Sequence, residues 1–232
     1  HSLAKRAAGE SVVLLKNKDR QLPLKPSVKI AVIGDFAKNT RYQGAGSSQV
    51  VPTALDNAFE CIASKLDEQG SVSYAKGYEP GNPELDQDLI QEAVDVAGLV
   101  DVVVLFVGLP SIDESEGFDR KHLDIPRQQE LLINAVCKEN PNSIVVLSNG
   151  APIRMPWVDA PRAILEGYLL GQAGGAAVTD ILFGKTNPSG KLAESFALEQ
   201  QDIPSDSWFS GTDRQVQYRE GLYVGYRYFD SA

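Results

Sequence analysis

The segment "DESEGFDRKHLDIP", residues 113–126, gathers Asp113, Glu114, Glu116, Asp119 and Asp124 around the cationic run Arg120, Lys121 and His122. Cations so placed are able to hold some acids ionised while others are left protonated, and such a separation of carboxyl pKa values is what acid–base catalysis requires. The same residues also describe a solvated acidic turn capping the next helix, which is the usual meaning of a charge run. A third reading gives Asp113, Glu114, Glu116 and Asp119 to Mg²⁺ or Ca²⁺ as oxygen ligands. That reading is the weakest, because the spacing is not that of a calcium loop and the three cationic residues oppose a metal. No metal site and no cofactor is expected.

Position favours chemistry. The acidic segment follows "DVVVLFVGL" (101–109), an apolar run rich in β-branched residues that reads as a buried parallel strand. "KIAVIGD" (29–35) and "SIVVLSNG" (143–150) repeat the pattern, "RAILEG" (162–167) is a weaker copy, and "SVSYAKG" (71–77) reads as an edge strand. Helical stretches alternate with them: "TALDNAFECIASKLDEQ" after Pro52, "PELDQDLIQEAVDVA" from Pro83, "PRQQELLINAVCKE" from Pro126, and "AGGAAVTDILFG" after the turn at Gly171. Proline in a first helical turn removes no hydrogen bond, so these starts are sound. At the beginning of the chain, Leu3, Ala7, Ser11, Leu14 and Leu15 fall on one face of a helix through "SLAKRAAGESVVLLKN". Strands alternating with helices require crossovers. The expected fold is therefore a three-layer α/β/α sandwich, flavodoxin-like or Rossmann-like, around a mostly parallel sheet of about six strands.

In such a sheet, ligands bind beyond the carboxyl ends of the strands. Connections in α/β units usually run about 2–6 residues, yet those at 35–51 and 109–125 are far longer and leave at the same edge. The first, "DFAKNTRYQGAGSSQVV", offers Arg41, Tyr42, Gln43, Gly44, Gly46, Ser47 and Ser48: short hydroxyls and amides suited to a polyhydroxylated ligand, or simply the residues of a solvated turn.

Several classes are disfavoured. "GAGSSQ" has Gln49 where a dinucleotide fingerprint needs its third glycine. "GKTNPSGK" (184–191) is spaced wrongly for a phosphate loop and has Leu192 in place of Ser or Thr. No nucleophile elbow is present. A net charge of -9 with no basic block disfavours nucleic acid and anionic membranes as partners, and no apolar run approaches the roughly 18 residues of a membrane span. Cys61 and Cys137 form no redox or metal spacing, and His1 and His122 are the only histidines. A chain opening on His1 inside a helical pattern is expected to be part of a longer protein.

Taken together, these motifs resemble the second domain of glycoside hydrolase family 3, the β-glucosidase family. "AAGESVVLLKNKDRQLPL", "KIAVIGD", "GAGSS", "ESEGFDRKHLDIPRQQELLINAV", "VLSNGAPIRMPW", "GYLLGQAGGAAVTDILFGKTNPSGKL" and "YREGLYVGYRYFD" follow the family's order almost end to end. The resemblance implies retaining hydrolysis of β-linked glucosides or oligosaccharides, shared with an N-terminal barrel domain that carries an aspartate nucleophile. It assigns the acid/base to Glu116, directly before Gly117, with Glu114 as the alternative because the loop varies in length. It places Ser47 near the glycone sugar; Arg41, Tyr42, Asp119, Arg120 and His122 complete the candidate substrate-binding set. Residues 1–198 are expected to form the family domain. Residues 199–232 form an extended, aromatic-rich tail packing on this domain or on a neighbouring one. Self-assembly into a homo-oligomer stays open. The rival reading is a non-catalytic carbohydrate-binding or scaffolding module of the same fold.

Overall fold

The computed structural model describes residues 1–231 except Ser48, Phe118, Ser210 and Asp213; Ser48, grouped with Ser47 above, therefore lies outside the described residues. In chain order the main elements are α1 (Ser2–Ser11), β1 (Val13–Asn17), β2 (Lys29–Ile33), α2 (Ala58–Ala63), β3 (Ser71–Ala75), α3 (Gln87–Ala97), β4 (Val102–Gly108), α4 (Arg127–Glu139), β5 (Ser143–Ser148), β6 (Ala163–Glu166), α5 (Gly174–Leu182) and α6 (Tyr226–Phe229).

The strands form one six-stranded sheet in the order β1-β6-β5-β4-β2-β3. β4 is buried along its whole length, which its run of valine, leucine and phenylalanine demands. Val104 lies opposite Val32 of β2 and Ile144 of β5, both pairings being parallel. Each such side chain removed from water contributes about 1.5–3 kcal/mol. β3 takes the edge, as its mixed composition predicts, and β1 takes the other edge as the antiparallel member, Val13 facing Glu166 of β6.

The direction of the crossovers decides the layers. β2 connects through α2 outward to β3, whereas β4 connects through α4 the opposite way to β5. With right-handed connections, opposite directions put the two helices on opposite faces. Accordingly α1 and α2 pack on α5, while α3 packs on α4. The sequence reversal therefore falls between the adjacent strands β2 and β4, and the two long loops leave from that point. A glycine at positive φ directly follows β2 and another closes β4, 114° at Gly34 and 146° at Gly108. A β-carbon at either position would lie 2.1 Å from a neighbouring strand's carbonyl oxygen, that of Phe106 or of Ser148.

Four expectations need correction. The opening helix stops at Ser11, and Val12 is extended, so Val13–Asn17 pairs with β6 as a strand; an open sheet edge outweighs helical spacing in a stretch led by two valines. The helix expected over residues 53–69 is only Ala58–Ala63, because Asn57 caps its start by accepting from the Glu60 N–H, and Asp67 accepts the Gln69 and Gly70 N–H groups to form a turn beyond its end. The helix expected from Pro83 begins at Gln87, where the Asp86 side chain accepts the N–H groups of Asp88 and Leu89. The tail over 217–230 is not extended throughout: turns precede α6, which carries Tyr226, Tyr228 and Phe229.

Candidate active site

The two long loops meet over the β2/β4 reversal. Ser47 of the first donates its hydroxyl to Oε2 of Glu116 in the second at 3.1 Å. Gly46, at φ 90°, lets this approach happen: a β-carbon there would sit 3.1 Å from the same Oε2 and 3.2 Å from the Glu116 Cβ. Glu116 is exposed, and the Ser47 hydroxyl is the one donor to it among the described hydrogen bonds.

Glu114, two residues earlier, is held quite differently. The Gly150 N–H donates to both of its oxygens at 2.8 Å and the Ala151 N–H to Oε1 at 2.8 Å. The Arg41 guanidinium reaches Oε2 at 3.4 Å, with side-chain exposures of 5% and 10% in the pair. Arg41 also donates from Nε to the Leu109 carbonyl at 3.2 Å. Burial lowers the Arg41 pKa and the Glu114 charge works to raise it. Arg41 thus ties the first loop to the root of the second.

The other candidates are spread around this junction. Arg120 donates from Nη1 to the Pro152 carbonyl at 3.1 Å, which fastens the acidic loop to the segment after β5. Burial lowers its pKa, opposed by Glu114, Asp113 and Asp124. Asp119, Arg120 and His122 line a cleft of about 240 Å³ with Leu109 and Ile112. His122 also borders a larger cleft of about 670 Å³ between this loop, Asn82–Pro83 and the start of α4. The Tyr42 hydroxyl accepts from Gln43 Nε2 at 2.7 Å and donates to the Val50 carbonyl at 3.2 Å, so it braces its own loop. The junction therefore brings together Ser47 with Glu116, and Arg41 with Glu114, while Tyr42, Asp119 and His122 stand apart from both carboxylates. Among the described residues, no three His, Cys, Asp or Glu side chains converge as a metal would require.

Two residues beneath the junction escaped the sequence reading. Glu166, the last residue of β6, is wholly buried. It accepts the Tyr168 N–H at 2.7 Å and the Asn149 amide at 3.1 Å. Burial raises its carboxyl to about 7, the two hydrogen bonds act the other way, and Glu114 adds to the rise. Asn149 is buried as well and donates from the same nitrogen to the Ala151 carbonyl at 3.0 Å. The available signal was a carboxylate closing an apolar strand in "RAILEG" and an Asn-Gly pair closing another in "SIVVLSNG".

A mostly parallel sheet with two long loops meeting at its reversal point defines a doubly wound α/β domain, and that edge is where such folds bind ligands. The chain belongs to glycoside hydrolase family 3: the model of the glycosyl hydrolase family 3 C-terminal domain matches residues 12–226. The thermostable β-glucosidase B of Acetivibrio thermocellus is 51% identical over 231 residues, covering 100% of this chain and 31% of that protein. An exo-α-(1→6)-L-arabinopyranosidase of Bifidobacterium breve is 46% identical over 244 residues, covering 99% and 31%. The crystal structure of a family 3 β-glucosidase of Bifidobacterium adolescentis matches with a TM-score of 0.92 at 47% identity, over 99% of this chain and 33% of that one. The chain thus spans about a third of the length of these relatives, and both the family and the α/β architecture expected from the sequence hold.

Proposed function

We propose that this domain supplies the general acid/base, Glu116, and part of the sugar pocket of a retaining β-glucosidase-type enzyme. The aspartate nucleophile belongs to a barrel domain of the full-length protein. The observation that carries the assignment is the contrast between neighbouring glutamates. A proton donor must reach the glycosidic oxygen. Glu116 is exposed with a single hydroxyl partner, whereas both oxygens of Glu114 are engaged by backbone N–H groups and Arg41. Glu116 also borders neither of the two clefts lined by His122, in keeping with a pocket that a second domain completes.

In the retaining reaction, the nucleophile attacks the anomeric carbon as the acid protonates the departing oxygen, the two carboxyl groups standing about 5–5.5 Å apart. The C–O bond breaks with its electron pair on the leaving oxygen, which takes the Glu116 proton. Glu116, now a carboxylate, accepts a proton from the water that cleaves the glycosyl ester. Ser47 is positioned to orient the carboxyl through both steps. The division into a domain of residues 1–198 and a tail of 199–232 fits this scheme: Tyr218, Leu222, Tyr223 and Tyr226 of the tail are all at least 60% exposed, a surface suited to contact with the rest of the enzyme. The β-glucosidase relatives support β-linked glucosides as substrates, and the arabinopyranosidase relative adds arabinopyranosides to the panel to be assayed.

Glu116→Gln in the full-length enzyme tests the assignment. Hydrolysis of a disaccharide glucoside, whose leaving group needs protonation, should fall far more than that of an activated nitrophenyl glucoside. Equal losses on both substrates would remove the acid role, and unchanged activity would favour the non-catalytic module.

A further inference from the structure

Glu166 takes no part in the chemistry above, yet it starts a chain of contacts that ends on the acid/base loop. Its Oε2 accepts from Asn149 Nδ2. The same Nδ2 holds the Ala151 carbonyl. The N–H groups of Gly150 and Ala151 hold Glu114, and Glu114 pairs with Arg41 of the first loop. We propose that Glu166 is a positioning residue: through Asn149 it sets the Gly150–Ala151 turn that clamps Glu114, and so fixes the loop that carries Glu116. The inference rests on Glu116 being the acid/base.

The Asn149 amide has two possible orientations, and the charge on Glu166 selects between them. Ionised Glu166 offers only acceptors, so Nδ2 must face it, and the same nitrogen then reaches Ala151. In this arrangement the buried Oδ1 of Asn149 has no partner among the described residues. Oε1 accepts the Tyr168 backbone N–H, a donor that cannot turn over, so the added proton goes to Oε2, where it meets the Asn149 NH₂ group, two donors opposed. Turning the amide over lets Oδ1 accept that proton, and the turn withdraws Nδ2 from the Ala151 carbonyl. Protonating Glu166 and clamping Ala151 are therefore alternatives.

The surroundings bring this exchange into the neutral range. The charged group acting on Glu166 from the acidic loop is Glu114, of like sign. The Tyr168 phenol on the adjoining segment is itself pushed up by burial and by Glu166. The cation of the network, Arg41, pairs with Glu114 and not with Glu166. With the carboxyl raised to about 7 by burial, both states are populated at neutral pH.

The test uses the full-length enzyme with a disaccharide glucoside, together with amide hydrogen exchange across residues 148–152. In the wild type, exchange of Gly150 and Ala151, corrected for its intrinsic pH dependence, should slow as pH rises through about 7, and kcat should rise over the same interval. Glu166→Gln, which carries an amide where the proton would sit, should remove both changes and lower kcat about tenfold at pH 8, with KM within about twofold of wild type. Glu166→Asp, keeping the charge, should restore a pH-dependent limb. The proposal is overturned by wild-type exchange with no step through neutral pH, a readout that needs no variant to fold. It is equally overturned if Glu166→Gln keeps the wild-type limb, or if it lowers only thermal stability. Failure of the acid/base assignment registers separately, as equal losses on both leaving groups in Glu116→Gln, while the exchange step still reports on Glu166.

Discussion

Asp180 of α5 and Glu116 of the acidic loop are both carboxylates in a net-negative chain, and the molecule surrounds them in opposite ways. Asp180 is buried and receives Lys5 of α1 at 2.6 Å, Lys65 beyond α2 at 3.2 Å and Lys185 beyond α5 at 3.3 Å. Burial pushes its carboxyl up, and the three lysines outweigh that and leave it below the usual value. Glu116 stands in the open with one hydroxyl beside it. A carboxylate that joins three pieces of a layer has its charge balanced from every side, whereas the free approach to Glu116 is what the proposed proton donor requires.

The sharpest way to break this comparison is to neutralise each carboxylate in turn and ask which property moves. Glu116→Gln should lower kcat on a disaccharide glucoside by about 10²–10⁴-fold, the usual worth of a positioned acid. Its melting temperature should stay unchanged, the expected stability difference being within about 0.5 kcal/mol for an exposed side chain. A large drop in stability would mean that Glu116 braces the loop, as Glu114 does.

Glu166 sharpens the contrast from the other side, as a buried carboxyl without a lysine. Its folded pKa of about 7 lies above the unfolded value near 4.3, so the folded state binds the extra proton. Its contribution is complete below the unfolded value and is lost as pH rises through about 7, with a difference on the order of 4 kcal/mol. Asp180 has the reverse sign. Its lowered pKa gives stability that is present above the unfolded value and lost as pH falls through the folded one. Exchange protection of β6 should therefore weaken towards alkaline pH in a Glu166-dependent way, and protection of α1 and α5 should weaken towards acid in an Asp180-dependent way. Interchanged signs would contradict these two environments.

Asp180→Asn comes next in size. Removing one partner of a buried ion cluster is strongly destabilising, but the lysines are 30–66% exposed on their side chains and regain water. About 2 kcal/mol is expected, read as faster exchange in α1 with kcat on the folded fraction unchanged. If activity fell and exchange did not, Asp180 would act on the site instead of holding the layer.

These contrasts also explain what could be read from the chain alone. β2, β4 and β5 were legible because a strand buried on both faces must be apolar throughout, and their order made the two long loops visible as an edge site. The acidic and glycine-rich loops that bring Glu116 and Ser47 together could be picked out because their motifs are local. The β1 pairing was hidden, since Leu3, Ala7, Ser11 and Leu14 satisfy a helical period that only the open edge of β6 overrides. The difference between Glu114 and Glu116 was hidden too. It depends on the Gly150 and Ala151 N–H groups, which lie 36 and 37 residues away in the chain. Glu166 looked like one more strand residue, because nothing local marks it as the acceptor of an asparagine 17 residues earlier.

The smallest expected effect concerns the one partner Glu116 has. Ser47→Ala removes a hydroxyl that donates to an exposed carboxylate, a hydrogen bond worth about 0.5–1.5 kcal/mol, so kcat on a disaccharide glucoside should fall by about 2- to 12-fold. The activated nitrophenyl glucoside should be hardly affected in its first step, because its leaving group needs no proton. Ser47→Thr keeps the donor and should recover most of the loss. If Ser47→Ala instead raised KM on both substrates by similar factors with kcat intact, Ser47 would be binding sugar in ground state and transition state alike. Its bond to Glu116 would then play no part in the proton transfer.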